Sequence, residues 1–170
     1  MPELEATVTR RDALVSGWVL VGVAGVFGWA VYRLGGRGLD AIRGGLDPLQ
    51  WAVLVGLTVG FVYTEGIQTF DRRWIPKLIQ RARRLRGEAV FFQVLGPLYG
   101  LSLVGTEWKE LAKGWVGTLL IVVAVLLIRE LPAPWRGIVD FAVAAALAWG
   151  MVTILRRTPS VVWSPAARRS

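Results

Sequence analysis

Glu65 is the residue whose type and position most suggest chemistry, because it is ionisable and lies within an otherwise apolar stretch. Tyr63 and Gln68 are close to it in sequence, and Gly66 leaves room beside it for a ligand or another chain. A charged group near lipid hydrocarbon is costly, so Glu65 is a candidate proton carrier, cation ligand or counter-ion of a basic substrate. The structural alternative is an ion pair with a loop arginine, or a carboxylate that reaches the membrane surface.

A second group of charged residues surrounds a proline-containing turn and consists of Arg129, Glu130, Arg136 and Asp140. Arg136 and Asp140 are four residues apart, a spacing that predicts a local ion pair at the start of a helix. The alternative is that all four residues form an outward-facing polar cluster that recognises a substrate or partner.

Several chemistries are excluded by the residue types that the sequence lacks. It contains no cysteine and no histidine, and only two methionines. Thiolate and imidazole metal sites, histidine-dependent catalysis and ordinary haem ligation therefore cannot be built within this chain. Because no convergent acid, base and nucleophile are visible, we predict no catalytic residues, no metal site and no cofactor. The net charge is +8, and the basic residues that produce it lie beside apolar stretches. This position favours anionic lipid headgroups over nucleic acid as partners.

Glu65 and the second charged group lie within or beside segments that the sequence predicts to be membrane-spanning helices. Of the 170 residues 54% are apolar, and the charged ones are bunched between long uncharged runs. The sequence predicts an all-α membrane protein with one polytopic domain over residues 1–157 and a C-terminal tail over 158–170. Its predicted spans cover about 13–34, 48–70, 113–128 and 137–155, with a glycine-rich polar connection over 35–47.

Small residues predict close helix packing at two places. Gly56 and Gly60 form a GxxxG pair in the second span, and Ala142, Ala146 and Gly150 share a face of the last span. Such faces let another helix backbone approach closely. We expect the last span in particular to pack against protein.

A basic amphipathic helix is predicted over residues 74–87. Apolar residues recur there at helical spacing from Ile75 to Leu85, while basic residues occupy the other faces. We expect this helix to lie in the lipid headgroup layer, with a solvated positive loop as the alternative. The predicted headgroup contacts are Arg72, Arg73, Lys77, Arg81 and Arg84.

Residues 89–106 form a short apolar segment that Gly96-Pro97 interrupts, so it is either a kinked fifth span or a re-entrant segment. If it crosses, the two sides carry eleven and nine basic residues; if it does not, they carry fifteen and five. The positive-inside rule favours the second arrangement. We therefore expect four true spans in a bacterial inner membrane, with both termini cytoplasmic.

The chain resembles an uncharacterised family of small bacterial integral membrane proteins over roughly residues 63–150. The most specific matching run is Pro134-Trp135-Arg136-Gly137-Ile138-Val139-Asp140. Further matches are Glu65-Gly66 with Phe70, Pro76-Lys77, Arg81-Ala82, Pro97-Leu98-Tyr99 and Trp149-Gly150. Family members carry a histidine after the Pro-Leu-Tyr element, where this chain has none, so any role of that histidine is absent here. The resemblance implies no particular activity.

These patterns favour a non-catalytic accessory, scaffold or assembly subunit of a membrane complex, with a protein partner or a homo-oligomer. The alternative is a small oligomeric transporter or channel, in which Glu65 is a proton or cation site and residues 89–106 are a re-entrant element. A third class is a lipid-active enzyme that holds a phosphorylated headgroup with carboxylates and arginines.

Overall fold

The computed structural model describes residues 9–87, 90–104 and 108–162, and every regular element in these ranges is helical. In chain order these elements are α1 (Arg10–Arg43), α2 (Pro48–Phe61), a π-helical segment (Val62–Trp74), α3 (Ile75–Arg84), a short 3-10 turn (Leu85–Gly87), α4 (Val90–Val94), α5 (Gly96–Gly100), α6 (Trp108–Arg129) and α7 (Ala133–Val162). Four helices, Arg10–Arg43, Pro48–Arg84, Leu111–Arg129 and Ala133–Val162, are long and apolar enough to cross a membrane. The prediction of an all-α protein with four candidate spans is therefore confirmed.

The first two long helices begin at capped residues. Thr9 caps α1 and exchanges hydrogen bonds with Asp12, while Asp47 caps α2 and exchanges hydrogen bonds with Gln50. Each pair satisfies backbone N–H groups that the first helical turn leaves without partners. Pro48 fits the first position of α2, where a missing N–H costs nothing.

The helices α1 and α7 pack together in antiparallel orientation along most of their length. Gly17 lies beside Val162, Gly28 beside Met151, and Gly38 beside Phe141. Ala142 and Ala146 are 0% and 3% exposed, and Gly150 is also buried. The predicted packing face of the last span is therefore confirmed.

The predicted glycine-rich connection over residues 35–47 is largely wrong, because α1 continues to Arg43. Its glycines permit close contact with α7. A β-carbon at Gly38 would lie only 2.6 Å from that of Phe141, and one at Gly137 would lie 2.3 Å from that of Ala41. Contact with α7 thus stabilises a helical conformation that glycine alone disfavours. At its other end α7 continues to Val162, into the region predicted as tail.

Helical structure runs without interruption from Pro48 to Gly87, so α3 continues the second candidate span. Ile75, Leu78, Ala82 and Leu85 are fully buried in a core with residues of α1, α5 and α7. The apolar face that we expected to lie among lipid headgroups is therefore covered by protein. Phe27, Phe70 and Trp74 extend this core as three mutually packed rings, with centroids 5.3 to 5.8 Å apart.

The segment that follows contains two five-residue helices, α4 and α5, and neither is long enough to span a bilayer. The backbone of α5 packs tightly on α1, since β-carbons at Gly22 and Gly96 would lie 2.4 Å from Pro97 and 2.9 Å from Val19. Residue 89 and residues 105–106 of the predicted 89–106 segment lie outside the described residues. The helix α6 makes few contacts with the rest of the described chain, since none of the residues in its apolar stretch within Leu111–Arg129 is buried.

Candidate functional site: a polar strip on the second span

The π-helical segment decides which way Glu65 faces. Leu54 is the buried residue of α2, and in a continuous α-helix residue 65, three turns later, would share its face. A π-helix has more residues per turn than an α-helix, so Gly66 instead of Glu65 lies on the buried face. The next inward-facing residues are Phe70, four positions later, and Ile75, five positions after that. Glu65 is consequently exposed on the outer surface of the bundle.

Its polar neighbours form an exposed strip, defined here as Tyr63, Thr64, Glu65, Gln68 and Thr69. The two threonines satisfy their hydroxyl groups locally, because Thr64 Oγ1 donates to Gly60 O at 2.8 Å and Thr69 Oγ1 donates to Thr64 O at 3.0 Å. Among the described residues nothing forms a hydrogen bond or ion pair with the side chains of Tyr63, Glu65 or Gln68. The strip therefore presents unsatisfied polar groups to whatever surrounds the bundle.

The depth of the strip follows from its packing on α7. A β-carbon at Gly66 would lie 3.3 Å from the ring of Trp149, so the two residues are at the same level. Arg156 is seven residues, or about two turns, further along α7 than Trp149, which corresponds to roughly 10 Å of helix. The next residue, Arg157, forms an ion pair through Nη2 with Asp71 Oδ1. Glu65 thus lies about 10 Å along the bundle from the level of Arg156 and Arg157.

The GxxxG pair is not used for packing within the described chain. Apart from the neighbouring residues and backbone of their own helix, no atom of the described residues lies within 4 Å of a β-carbon built at Gly56 or at Gly60. Both glycines are exposed, as is most of α2, whose only buried residue is Leu54. This part of the second span therefore remains open to a neighbouring helix.

The predicted cluster of Arg129, Glu130, Arg136 and Asp140 is only partly assembled. Asp140 is buried, and its Oδ2 lies 4.0 Å from Arg136 Nε, which agrees with the expected local pair. The nearer partner is Arg37 of α1, whose Nη1 is 3.7 Å away. Arg129 and Glu130 are exposed, and no ion pair joins them to any described residue. Arg37 was not predicted as a member of this cluster, because the glycines around it indicated a loop.

The basic residues predicted to contact headgroups divide into two groups. Arg72, Arg73, Lys77 and Arg84 are exposed. Arg81, by contrast, is half-buried and donates a hydrogen bond from Nη1 to Gly100 O at 3.1 Å. It therefore connects α3 to α5.

Arg86 is a structural residue that the sequence pattern did not single out. Its guanidinium donates to Ser16 Oγ at 2.7 Å and to the carbonyl oxygens of Val161 and Val162 at 3.0 and 3.3 Å. Burial lowers the pKa of Arg86 from its ordinary value, while the carboxylate of Asp12 opposes that shift. Ser16, a lone hydroxyl in an apolar stretch, was the available signal for this contact between α1, the 3-10 turn and α7.

The described residues contain no group of three or more acidic side chains that would hold a metal ion. Comparison of the chain with protein-family models, with curated proteins and with solved structures found no match. The family resemblance given above therefore stays a prediction. The fold and the polar strip define a helical protein with four candidate membrane spans and an outward-facing carboxyl group on the second of them.

Proposed function

We propose that this protein is a non-catalytic accessory, scaffold or assembly subunit of a complex in a bacterial inner membrane. Its partner binds the outer face of the second span, at the polar strip and the neighbouring Gly56 and Gly60. Among the described residues, the buried carboxylate of Asp140 and the half-buried guanidinium of Arg86 make contacts within the chain, which supports a role other than catalysis.

The observation that carries the proposal is the outward position of Glu65. Ionisable residues within membrane spans almost always face the interior of a bundle or a water-filled cavity, because exposure to hydrocarbon costs several kcal/mol. Glu65 faces away from the interior of this chain, as do Tyr63 and Gln68. A second protein that packs on this face would supply the missing interior and the hydrogen-bond partners.

The open glycines support the same face as an interface. Membrane helices associate chiefly through close backbone packing and interhelical hydrogen bonds, both of which this surface offers. Gly60 and Gly56 lie one and two turns before the strip along the same helix, with nothing from the rest of the described chain against them. An approaching helix can therefore contact the α2 backbone and then reach Gln68 and Glu65.

The membrane arrangement that we propose has four spans and both termini in the cytoplasm. The start of α1, the 3-10 turn and the end of α7 meet at Arg86, at one end of the bundle. The helix α6 starts at that end as well, since a β-carbon at Gly114 would lie 2.6 Å from Ser102 O, beside α5. This supports a segment over residues 89–106 that enters and leaves on one side, with fifteen basic residues there.

Photo-crosslinking in the native membrane tests the proposed interface. A photoreactive amino acid at Gln68 should give a discrete protein adduct, which mass spectrometry then identifies. The control is the same probe at Leu120 of α6, which is 63% exposed but has only apolar neighbours, and which should react mainly with lipid. If the probes at Gln68 and Leu120 both yield only lipid adducts, the proposed interface is wrong.

The Glu65→Gln variant separates this function from transport. The amide has the same size and still forms hydrogen bonds, so a scaffold should keep its adduct at Gln68. An adduct with a second copy, together with proton or cation flux in proteoliposomes that Glu65→Gln abolishes, would instead establish the oligomeric transporter. Capture of a different protein without any flux would support the accessory role.

A further inference from the structure

The outer surface of α1 carries a groove that the proposed function does not use. Its volume is about 610 Å³, and it is lined by Arg10, Leu14, Gly17, Trp18 and Val21 of α1 together with Val162 of α7. Volumes of this order are typical of sites that hold small molecules. The groove exists because residue 17 has no side chain at the point where α1 passes the end of α7.

The walls of the groove are apolar. Leu14, Trp18 and Val21 are 74%, 53% and 51% exposed, and they begin an apolar surface that Val26 and Trp29 continue along α1. The one polar atom of Trp18 is already satisfied, because Nε1 donates to Val94 O at 3.1 Å. Trp18 therefore offers only the apolar surface of its ring to a molecule bound in the groove. Such a surface, continuous with the apolar surface of the first candidate span, suits contact with lipid acyl chains.

Arg10 is the one cation among the described residues that line the groove, and it lies at one end. Arg10 is exposed in the first turn of α1, and no hydrogen bond or ion pair joins it to another described residue. From Arg10 to Val21 the helix rises roughly 16 Å, which is about half the thickness of a bilayer's hydrocarbon core. The length and polarity of the groove thus match one acyl chain of a lipid whose headgroup is anionic.

We infer that this groove binds a phospholipid with an anionic headgroup, whose phosphate pairs with Arg10 and whose acyl chain lies over Gly17 between Trp18 and Val162. The site is distinct from the polar strip on the second span. It adds a built lipid contact at the same end of the bundle as the basic residues of α3. The inference does not depend on the identity of any protein partner.

The test uses the full chain in vesicles that contain phosphatidylcholine and phosphatidylglycerol, with a spin label near the end of one acyl chain. Electron paramagnetic resonance should detect an immobilised fraction that prefers phosphatidylglycerol. Gly17→Leu should remove that fraction, because the new side chain fills the groove; its β-carbon meets only Val162 Cγ2, at an ordinary 3.7 Å. Gly25→Leu is the matched control on the same helix, since nothing lies within 4 Å of its β-carbon.

A second variant keeps the inference testable if Gly17→Leu fails to fold. Arg10→Gln should weaken the preference for phosphatidylglycerol about fivefold, as expected for the loss of one arginine near an anionic surface. Arg156→Gln removes an equal charge from α7 and should leave the preference unchanged, because Arg156 is exposed and does not line the groove. Equal losses in Arg10→Gln and Arg156→Gln would indicate general surface attraction and overturn the inference. An immobilised fraction that persists in Gly17→Leu would also overturn the inference. A spin label that stays mobile in the wild type would overturn it as well, because it would indicate that protein fills the groove.

Discussion

Replacing Gly137 with alanine should separate α1 from α7 at their closest point. The added β-carbon would lie 2.3 Å from Ala41 Cβ and 3.1 Å from Arg37 O. Two carbon atoms in favourable contact are about 3.5–4.0 Å apart, so the helices must move apart by at least about 1.2 Å. The clash involves a main-chain atom and a β-carbon, and neither can rotate away.

The expected cost can be worked from two opposing effects. Overpacking of this kind typically costs about 1–3 kcal/mol, while alanine gains about 1 kcal/mol over glycine in helix propensity. Gly25→Ala on α1 receives the same gain without a clash, because open space surrounds its β-carbon. The shared gain cancels when the two variants are compared. Gly137→Ala should therefore have a free energy of unfolding roughly 1–3 kcal/mol below that of Gly25→Ala.

Unfolding in mixed micelles with increasing sodium dodecyl sulfate measures this difference, with fluorescence of the nine tryptophans as the signal. The same comparison reports on the ion pair between Arg37 and Asp140, which lies within a turn of Gly137 and should be broken by the displacement. Equal unfolding midpoints for Gly137→Ala and Gly25→Ala would refute the reasoning. Such a result would mean that the two helices do not pack as described.

Three further substitutions test the contacts that hold the bundle together. Arg86→Met should lower the free energy of unfolding by about 2–3 kcal/mol through the loss of hydrogen bonds to α1 and α7. Arg84→Met on the exposed face should change it little. Similar unfolding midpoints for these two variants in micelles would contradict this expectation. Asp140→Asn should destabilise the same fold by about 1–2 kcal/mol, since it leaves two arginines without their carboxylate but both are partly exposed. Thermal denaturation followed by circular dichroism measures that loss, and an unchanged midpoint would show that the pair contributes nothing. Gly66→Leu should shift the π-helical segment away from Trp149 and lower stability by about 1–3 kcal/mol; a protein as stable as the wild type would argue against the tight contact.

The positions of the long apolar helices were accessible from sequence because hydropathy is a local property. A run of about twenty apolar residues is sufficient to predict a helix that can cross a membrane, whatever surrounds it. The small-residue face at Ala142 and Ala146 was accessible for a similar reason, since helical spacing alone brings those residues to one side. The pairing of Arg136 with Asp140 likewise depends only on their separation by four residues.

The direction in which Glu65 faces was decided by tertiary structure. Spacing along a regular α-helix would have placed it on the face of Leu54, and only the π-helical segment turns it outward. The glycine content of residues 35–38 predicted a loop, because the local cost of glycine in a helix is visible in sequence while its compensation by α7 is not. The apolar face of α3 posed the same difficulty, since an amphipathic pattern is equally suited to lipid headgroups and to a protein core.

That this is a helical membrane protein without cysteine or histidine chemistry follows from composition and from runs of neighbouring residues. Which polar groups form contacts within the chain and which remain on its surface depends on the tertiary structure. Arg86 and Asp140 find partners more than sixty residues away along the chain, at Ser16 and Arg37 respectively. No pattern of neighbouring residues encodes such contacts, because they depend on how the helices pack against each other.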